Sequence, residues 1–577
     1  MNDRSETFDE AYDVVVVGSG AGGMAAALAA RKAGLDVIVV EKTAWIGGSM
    51  ALSGGAVWIP KNPHLADVGI EDDDEQVMSY LRAILGNRLR QDLIEAFLEN
   101  GPRMVSFMER ETEVVFQARA YSPDYQPNLP GASLGGRTID PAPFDGRTLG
   151  QNFGLLRPPL KEFLAFGGMM VNRKDIDALL GISRSLTNLR HGMQILLRYF
   201  ADRASYPRGT RLLMGNALAG RLLKSALDAR IVLRTETSAR RLMVAEGRVA
   251  GIVVEHEGRT VSISARRGVV LAAGGFPADD QMRSQFIPFA ERHKSMAPAS
   301  NTGDGIRLAL EVGGVIDEDN IGNAFWAPVS TLRQADGTEI RFPHLILDRQ
   351  KPGLVAVNGA GRRFVNEATS YHEFVEAMHR SHETVPTIPA ILICDRHFIR
   401  RYGLGLVRPG LRRLRPFIDA GYLIEAGSIR ELARKLEIDP ETLSETVRRM
   451  NDYAASGHDP EFGKGSSAYN RYLGDPAHRP NPCLGPIAAA PFYAVRVWPG
   501  DIGTAAGLKV DAKARVLDRN GEPIPGLFAC GNDMNSIMAG AYPGAGITLG
   551  PALTFGYIAG RELAQAAACS NKENPLP

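Results

Sequence analysis

Residues Tyr12–Glu41 read YDVVVVGSGAGGMAAALAARKAGLDVIVVE, and this stretch decides the fold. Tyr12–Val17 is a β-branched apolar run suited to a strand buried on both faces. The glycine-rich turn Gly18–Gly23 follows at once. An alanine-rich helix is expected over Met24–Ala33, closed by Gly34, and Asp36–Val40 then forms a second buried strand that delivers Glu41 at its carboxyl end. Gly18 permits the tight turn, Gly20 lets backbone amides approach a pyrophosphate, and Gly23 lets the helix pack closely on the strand, so that the helix N-terminus faces the phosphate charge. Glu41 is placed to accept hydrogen bonds from ribose hydroxyls. A lone GxGxxG is weak, but strand, glycines, helix, strand and acid in this order define a dinucleotide site.

The next loop favours an extended ligand. Gly47, Gly48, Ser49, Ser53, Gly54 and Gly55, within GGSMALSGG, suit backbone approach by the rest of a long cofactor, and FAD is the reading. A strand pair at Val249–Glu255 and Thr260–Ala265 leads to GVVLAAGGF (Gly268–Phe276), a buried strand opening into a small-residue turn. Gly507–Asn532 reads as short strands that return the chain to the nucleotide fold, and Gly544, Gly546 and Gly550 precede a final helix whose N-terminal amides could face the flavin. No second βαβ fingerprint for NAD(P) is found; VNGAGRR near Gly359 reads as a turn.

Composition sets the remaining bounds. The 577 residues, 44% hydrophobic, suffice for two domains with substantial cores. With 66 basic and 65 acidic residues the formal charge is +1, so no overall field favours nucleic acid. Cys394, Cys483, Cys530 and Cys569 are far apart, with neither CxxC nor CxxCH, which argues against a disulfide framework, an attached haem and an oxidising compartment. No metal-ligand spacing such as HExxH occurs around His191, His372 or His379, and no GxSxG elbow is present. With no signal-peptide pattern and no apolar run of about 18 residues, the cytoplasm is the expected location.

One segment tempers that location. Arg184–Arg211 mixes Leu186, Leu189, Met193, Leu196, Leu197, Tyr199 and Phe200 with six arginines and one acid, as an interfacial amphipathic helix does. A packed surface helix is the first expectation and peripheral membrane contact the second.

The motifs together resemble a known group. GSGAGG, Glu41 with GGS…SGG, LAAGGF, RRFVNEA (Arg362–Ala368) and the closing GLFACGN…AGAYPGAGITLGPALTFGYIAGR are similar to the fumarate reductase and 3-ketosteroid dehydrogenase superfamily of flavoproteins, over nearly the whole chain. Within it the pattern resembles the 3-ketosteroid Δ1-dehydrogenases. The resemblance implies an α/β architecture: a Rossmann-like FAD-binding domain split in sequence (1–320 and 498–577) around an inserted α+β catalytic domain (321–497).

It also implies chemistry. Removing two hydrogens from adjacent carbons of a cyclic enone needs a base for the α-proton, a hydride acceptor for the β-carbon, and donors on the carbonyl oxygen. By resemblance Tyr371, in NEATSYHEF, takes the proton; Tyr125, in SPDYQPNLPG, hydrogen-bonds to Tyr371; Tyr542, in AYPGAG, and the Gly546 amide hold the ketone oxygen; and hydride passes to flavin N5. The expected cofactor contacts are Gly18, Ser19, Gly20, Ala21, Gly22, Gly23, Glu41, Lys42, Gly47, Gly48, Ser49, Ser53, Gly54, Gly55, Ala273, Gly274, Gly531, Asn532, Gly546 and Leu549. Asn366 and Glu367 are read as holding the Tyr371 loop, and Trp326 and Tyr493 as core.

The expected activity is 1,2-dehydrogenation of a 3-ketosteroid or similar flat cyclic enone, with an external electron acceptor such as a quinone. The alternatives are a Δ4-ketosteroid dehydrogenase, a fumarate-type enoate reductase, or a non-catalytic FAD-bound protein that uses its basic helix for a membrane or partner. A dicarboxylate site needs arginine and histidine where this chain has YPGAG, which favours a neutral ketone. Residues Gly150–Ser205 are longer and more basic than compact family members require, which leaves substrate size open.

Overall fold

The structure is a computed structural model that describes residues 8–161, 164–180 and 185–570. Strand β1 (Glu10–Val17), helix α1 (Ala21–Lys32) and strand β2 (Val37–Val40) form the expected opening unit. Val14–Val17 and Val37–Val40 are buried throughout, as parallel strands covered on both faces must be. The helix starts at Ala21 rather than Met24, because Gly22 and Gly23 take helical backbone and bring the first turn against the glycine loop. It ends where Gly34, at φ +92°, supplies the left-handed residue.

Helix α2 (Leu186–Arg203) belongs to the basic segment. Strand β3 (Val232–Arg234) adds to the outside of β2 in parallel. Strands β4 (Thr237–Ala245), β5 (Arg248–His256) and β6 (Arg259–Leu271) form an antiparallel meander. The two segments expected at Thr260–Ala265 and Gly268–Phe276 prove to be one strand: β6 runs on past Gly268 to Leu271, antiparallel to β5 as far as Ser264 and parallel to β1 from Ile263, with Val14–Val17 opposite Gly268–Leu271. The sheet order is thus β3-β2-β1-β6-β5-β4.

A second sheet carries the other half of the molecule. Strands β7 (Ala324–Arg333), β8 (Leu354–Val357), β9 (Ala390–Asp395) and β10 (Phe492–Thr504) are antiparallel in the order β7-β10-β9-β8, and helix α3 (Tyr371–His382) packs on β7. Strand β11 (Pro523–Ala529) then returns the chain to the first sheet, where Leu527–Ala529 lie parallel to Val269–Leu271. Among the described residues, the strands of the first sheet come from 10–271 and 515–529 and those of the second from 324–504, so β10 carries the second sheet past position 498.

Helix α4 (Leu549–Ser570) closes the fold against α1. A Cβ at Gly556 would lie 2.2 Å from the Gly22 carbonyl oxygen, and one at Gly560 2.5 Å from that of Ala26. The helices therefore meet backbone to backbone, and this contact brings the C-terminal turn over the dinucleotide loop.

Candidate active site

Three of the four glycines of the first turn, Gly18, Gly20 and Gly23, have separate surroundings. A Cβ at Gly18 would lie 2.3 Å from the Ala272 oxygen and one at Gly23 2.1 Å from the Gly18 oxygen, whereas one at Gly20 meets nothing within 4 Å. Gly18 and Gly23 are thus bare because protein backbone touches them, and Gly20 because the cradle opens there. Gly54 and Gly531 face open space in the same way. Gly20 caps α1 without a side-chain bond, and the first turns of α1 and α4 carry no acid. Two helix N-termini without competing carboxylates, the first turn of α1 and the start of α4 at Leu549, fit the diphosphate and the electron-rich ring edge of FAD.

Side chains tie the remaining loops to this cradle. The Ser19 hydroxyl donates to Glu41 at 2.7 Å and accepts from the Gly47 amide at 3.1 Å, while the Thr43 amide donates to the other Glu41 oxygen at 2.9 Å. Gly48 sits against Gly20, and Gly22 against Cys530, the neighbour of Gly531. Lys42 turns to Asp304, 2.6 Å away, and Gly55 packs on Met214 and Gly215.

Two residues of this region went unread in the sequence. Asn301 donates to the Ser49 hydroxyl and to the Gly274 carbonyl, both at 3.1 Å, joining two of the expected loops. Asp533, one residue beyond Asn532, accepts the Ala273 amide at 2.6 Å and the Gly275 amide at 2.8 Å. Burial pushes its carboxyl up to about 6, against the pull of those amides. The only sequence signal for either is a short polar residue inside a glycine turn, SNTGDG or CGND.

The phenols of Tyr125, Tyr371 and Tyr542 converge from three distant parts of the chain. Tyr371 is the first residue of α3, whose capping box pairs Ser370 with Glu373. Its approach loop is braced by Asn366, which accepts the Ala368 amide, and by Glu367, which is clamped by Arg363. The Tyr125 amide and the Tyr80 hydroxyl both donate to the Pro543 carbonyl, at 2.8 and 2.7 Å, so the loop of Tyr125 is bound to the YPGAG turn. The Tyr125 hydroxyl donates to that of Tyr371 at 3.0 Å. Tyr542 stacks on Tyr125 with ring centroids 5.3 Å apart and 7° between planes, and meets Tyr371 edge-on at 5.3 Å.

The YPGAG turn is pinned through its carbonyls. Ala545 accepts from the Thr138 hydroxyl at 3.0 Å, and Gly546 accepts from the Trp58 and Gly550 amides at 3.1 and 2.9 Å. Among the described residues no carbonyl accepts the Gly546 amide. Gly546 itself has φ +101°, and a Cβ there would strike Ala56 at 2.6 Å.

Electrostatically the cluster is dry. Burial drives the Tyr371 and Tyr125 phenols well above the ordinary value, and pushes Tyr542 up to about 12 despite its bonds to Tyr371 and Thr548. All three are protonated at neutral pH. Arg119 and Arg349, the cations near the cluster, are committed: Arg119 to Asp140 at 2.6 and 2.7 Å, Arg349 to the carbonyls of His344, Leu345, Glu367 and Thr369. A cleft lined by Phe325, Thr504, Asn532, Ile547, Thr548 and Ala552 lies beside α4, and Phe325 meets Tyr542 edge-on.

Trp326 and Tyr493 are core, and His372 accepts the Trp326 amide under Tyr542. No group of side chains among the described residues could hold a metal ion. Cys394, Cys483 and Cys530 are free and buried; the Cys569 side chain lies outside the described ones. The basic segment forms a surface helix packed on one side. Although α2 buries Ile195 and Tyr199, it leaves Leu186, Leu189, Met193, Leu197 and Phe200 exposed on one side, while Arg198 and Arg211 pair with Asp145 and Asp175 and Arg208 is buried; Arg184 lies outside the described residues.

A split dinucleotide fold, a glycine cradle open at Gly20 and a buried phenol cluster beside the closing helix define a flavoprotein oxidoreductase. The chain matches the FAD-binding domain family over residues 13–549. It is 39% identical over 98% of its length to a 4-oxocyclohex-2-ene-1-carboxylate 5-dehydrogenase of Sinomonas cyclohexanicum, covering 95% of that protein, and 38% identical over 96% to a 3-oxosteroid 1-dehydrogenase of Mycobacterium tuberculosis, covering 99%. The solved 3-ketosteroid Δ1-dehydrogenase of Sterolibacterium denitrificans, in complex with 1,4-androstadiene-3,17-dione, superposes with a TM-score of 0.89 at 38% identity, covering 96% of this chain and all of that one. The chain belongs to the FAD-binding family of flavoproteins that includes the 3-oxosteroid 1-dehydrogenases, and it is an FAD-dependent oxidoreductase. No helix among the described residues is long and apolar enough to cross a membrane.

Proposed function

We propose that the protein dehydrogenates the 1,2-bond of a 3-ketosteroid or a similarly flat cyclic enone. The convergence of Tyr125, Tyr371 and Tyr542 with the Gly546 amide carries this reading. The Tyr542 hydroxyl and the Gly546 N–H donate to the ketone oxygen and stabilise the enolate that develops there. Tyr371 takes the proton from the neighbouring carbon; the Tyr125 donor and the N-terminus of α3 favour its phenolate, offsetting the cost of burial. FAD, held by Gly18–Gly23, Glu41, Gly47–Ser49, Ala273–Gly274, Gly531–Asn532 and the start of α4, supplies the two-electron acceptor. The dinucleotide domain comprises 1–320 and 498–577 and the catalytic domain 321–497; the origins of the two sheets support this division except that β10 carries the second sheet past 498 to Thr504.

Two features of context belong to the same proposal. The cofactor is reoxidised by an external carrier such as a quinone, since the sequence has neither CxxCH nor a second dinucleotide fold. The enzyme is cytoplasmic and touches membranes through the exposed apolar side of α2; sedimentation with anionic liposomes at low salt tests this, and a protein that stays wholly in the supernatant overturns it.

Similarity to the Sinomonas dehydrogenase supports a second reading, a small oxocyclohexenecarboxylate. A carboxylate calls for a free cation, and Arg119 and Arg349 are both engaged, so the neutral steroid is preferred. Anaerobic mixing decides between them. Bleaching of the oxidised flavin band by androst-4-ene-3,17-dione, with formation of the 1,4-diene, is expected. Bleaching by 4-oxocyclohex-2-ene-1-carboxylate alone supports the second reading, and a flavin that no cyclic ketone bleaches overturns both.

A further inference from the structure

Arg349 is fully buried, and the hydrogen bonds of its guanidinium all go to backbone carbonyls. Nε donates to His344 at 2.8 Å and Nη2 to Leu345 at 3.2 Å, while Nη1 donates to Glu367 at 3.0 Å and both Nη atoms reach Thr369 at 3.4 Å. One planar fork thus joins the turn at His344 and Leu345 to the loop that leads into Tyr371. The guanidinium also lies over the ring of Phe374, 4.7 Å from its centroid, and the Phe374 amide donates to the Ser370 carbonyl in the first turn of α3.

The turn at His344 is itself anchored. His344 Nδ1 meets Asp348 at 2.7 Å, its Nε2 meets the Ser330 hydroxyl on β7 at 2.8 Å, and the Arg349 amide donates to Asp348 at 2.8 Å. Ser330, His344 and Asp348 have the order of a hydrolase triad, but all three are buried, so they serve as an anchor to the second sheet. Direct hydrogen bonds therefore run without a gap from β7 through Arg349 to the loop of Tyr371. Burial pulls the guanidinium down to about 10, so it stays charged at neutral pH but is held there at a cost. In return a planar fork sets the direction of several carbonyls at once, which apolar packing does not.

We infer that Arg349 is a positioning residue for the dehydrogenation proposed above, on which this inference rests: its fork fixes the Glu367–Thr369 loop and the first turn of α3, and so holds the Tyr371 phenol at Tyr125. The ketone-holding half of the site has other supports. Tyr80, Thr138 and Trp58 pin the YPGAG turn, and Arg349 bonds to none of them. Arg349 therefore governs the proton step and leaves ketone binding alone.

Arg349→Lys keeps a donor head but cannot span the four carbonyls. With androst-4-ene-3,17-dione as substrate, kcat is expected to fall about 10- to 100-fold, as a misplacement of about 1 Å in a reacting group does, with KM and flavin content unchanged. The alkaline rise in rate should move to higher pH, because Tyr371 loses the Tyr125 donor. Tyr125, Tyr542, Arg119 and His372, which surround the Tyr371 phenol and its partners, all stay in place, as do Asp348, Glu367, Glu373 and Tyr469 around position 349. In a Tyr125→Phe background the same substitution should cost little more, since both changes remove one hydrogen bond. If Arg349→Lys gives no folded holoenzyme, Phe374→Leu decides in the same cycle: it removes the ring under the guanidinium, keeps the carbonyl bonds, and should show a smaller fall with the same features. A kcat equal to wild type, a KM that rises as kcat falls, an unmoved alkaline rise, or losses that multiply in the double variant would each overturn the inference. Failure of the wild type to bleach with any ketone would instead strike the functional reading.

Discussion

The Tyr125 hydroxyl donates to the Tyr371 hydroxyl at 3.0 Å across 246 positions of sequence, in a buried site. Such a donor stabilises the phenolate of its acceptor, while burial drives the Tyr371 phenol well above its ordinary value. The base form is therefore scarce at neutral pH. The rate of proton abstraction should rise with pH through the alkaline range. Tyr371→Phe should retain flavin, lose about 10²- to 10⁴-fold in kcat and lose that alkaline rise; a variant that keeps the wild-type rate refutes the assignment.

Tyr542 plays a different part in the same cluster. Its phenol, pushed up to about 12, stays a donor over the working pH range. Tyr542→Phe is expected to lower kcat by about 10²- to 10³-fold, as loss of one oxyanion donor does, without moving the alkaline rise, because the base is intact. Steady-state rates from pH 6 to 10 test this, and a shifted profile would mean that Tyr542 acts on the proton instead.

These two predictions rest on residues that the sequence reveals unequally. The unit β1–α1–β2 was legible because its signals are local: β-branched runs, a glycine turn and an alanine helix follow one another within Tyr12–Glu41. The three tyrosines were legible only through motif resemblance, since nothing in their spacing says that they meet. Asn301 and Asp533 were missed because each acts on groups far along the chain, Asp533 on amides 258 and 260 positions away. How much of α2 packs was not legible for another reason: amphipathic periodicity is the same whether the apolar side meets protein or solvent.

The contact between α1 and α4 gives a prediction whose sign opposes helix propensity. Alanine in place of a helical glycine should stabilise by about 1 kcal/mol on propensity alone. At Gly556 the new methyl would sit 2.2 Å from the Gly22 carbonyl oxygen, a backbone atom that cannot turn aside. Gly556→Ala should therefore destabilise, by about 1–3 kcal/mol as overpacking does, and weaken FAD retention as α4 is pushed from the cradle. Thermal melting and flavin content of the purified variant check this; a raised midpoint would show that the helices separate freely.

Asp533 links stability to pH beside the cofactor. Burial pushes its carboxyl from the model-compound value of 3.8 up to about 6, although the Ala273 and Gly275 amides favour the charged form. The folded state thus holds its proton more tightly than the unfolded chain. No penalty exists below about pH 4; it grows between about 4 and 6 and is complete above 6, so this residue makes folding less favourable as pH rises, by on the order of 3 kcal/mol at most. Asparagine cannot ionise. The stability of Asp533→Asn relative to wild type should therefore improve between pH 4 and pH 7, measured by denaturant unfolding at both. The Asn side chain keeps one carbonyl oxygen for the two amides, however, and the turn at Ala273–Gly275 should loosen. FAD should then bind more weakly in the variant even at pH 7, where its relative stability is greatest. A difference between the two proteins that does not change with pH would place the charge of Asp533 in an environment the folded chain does not perturb.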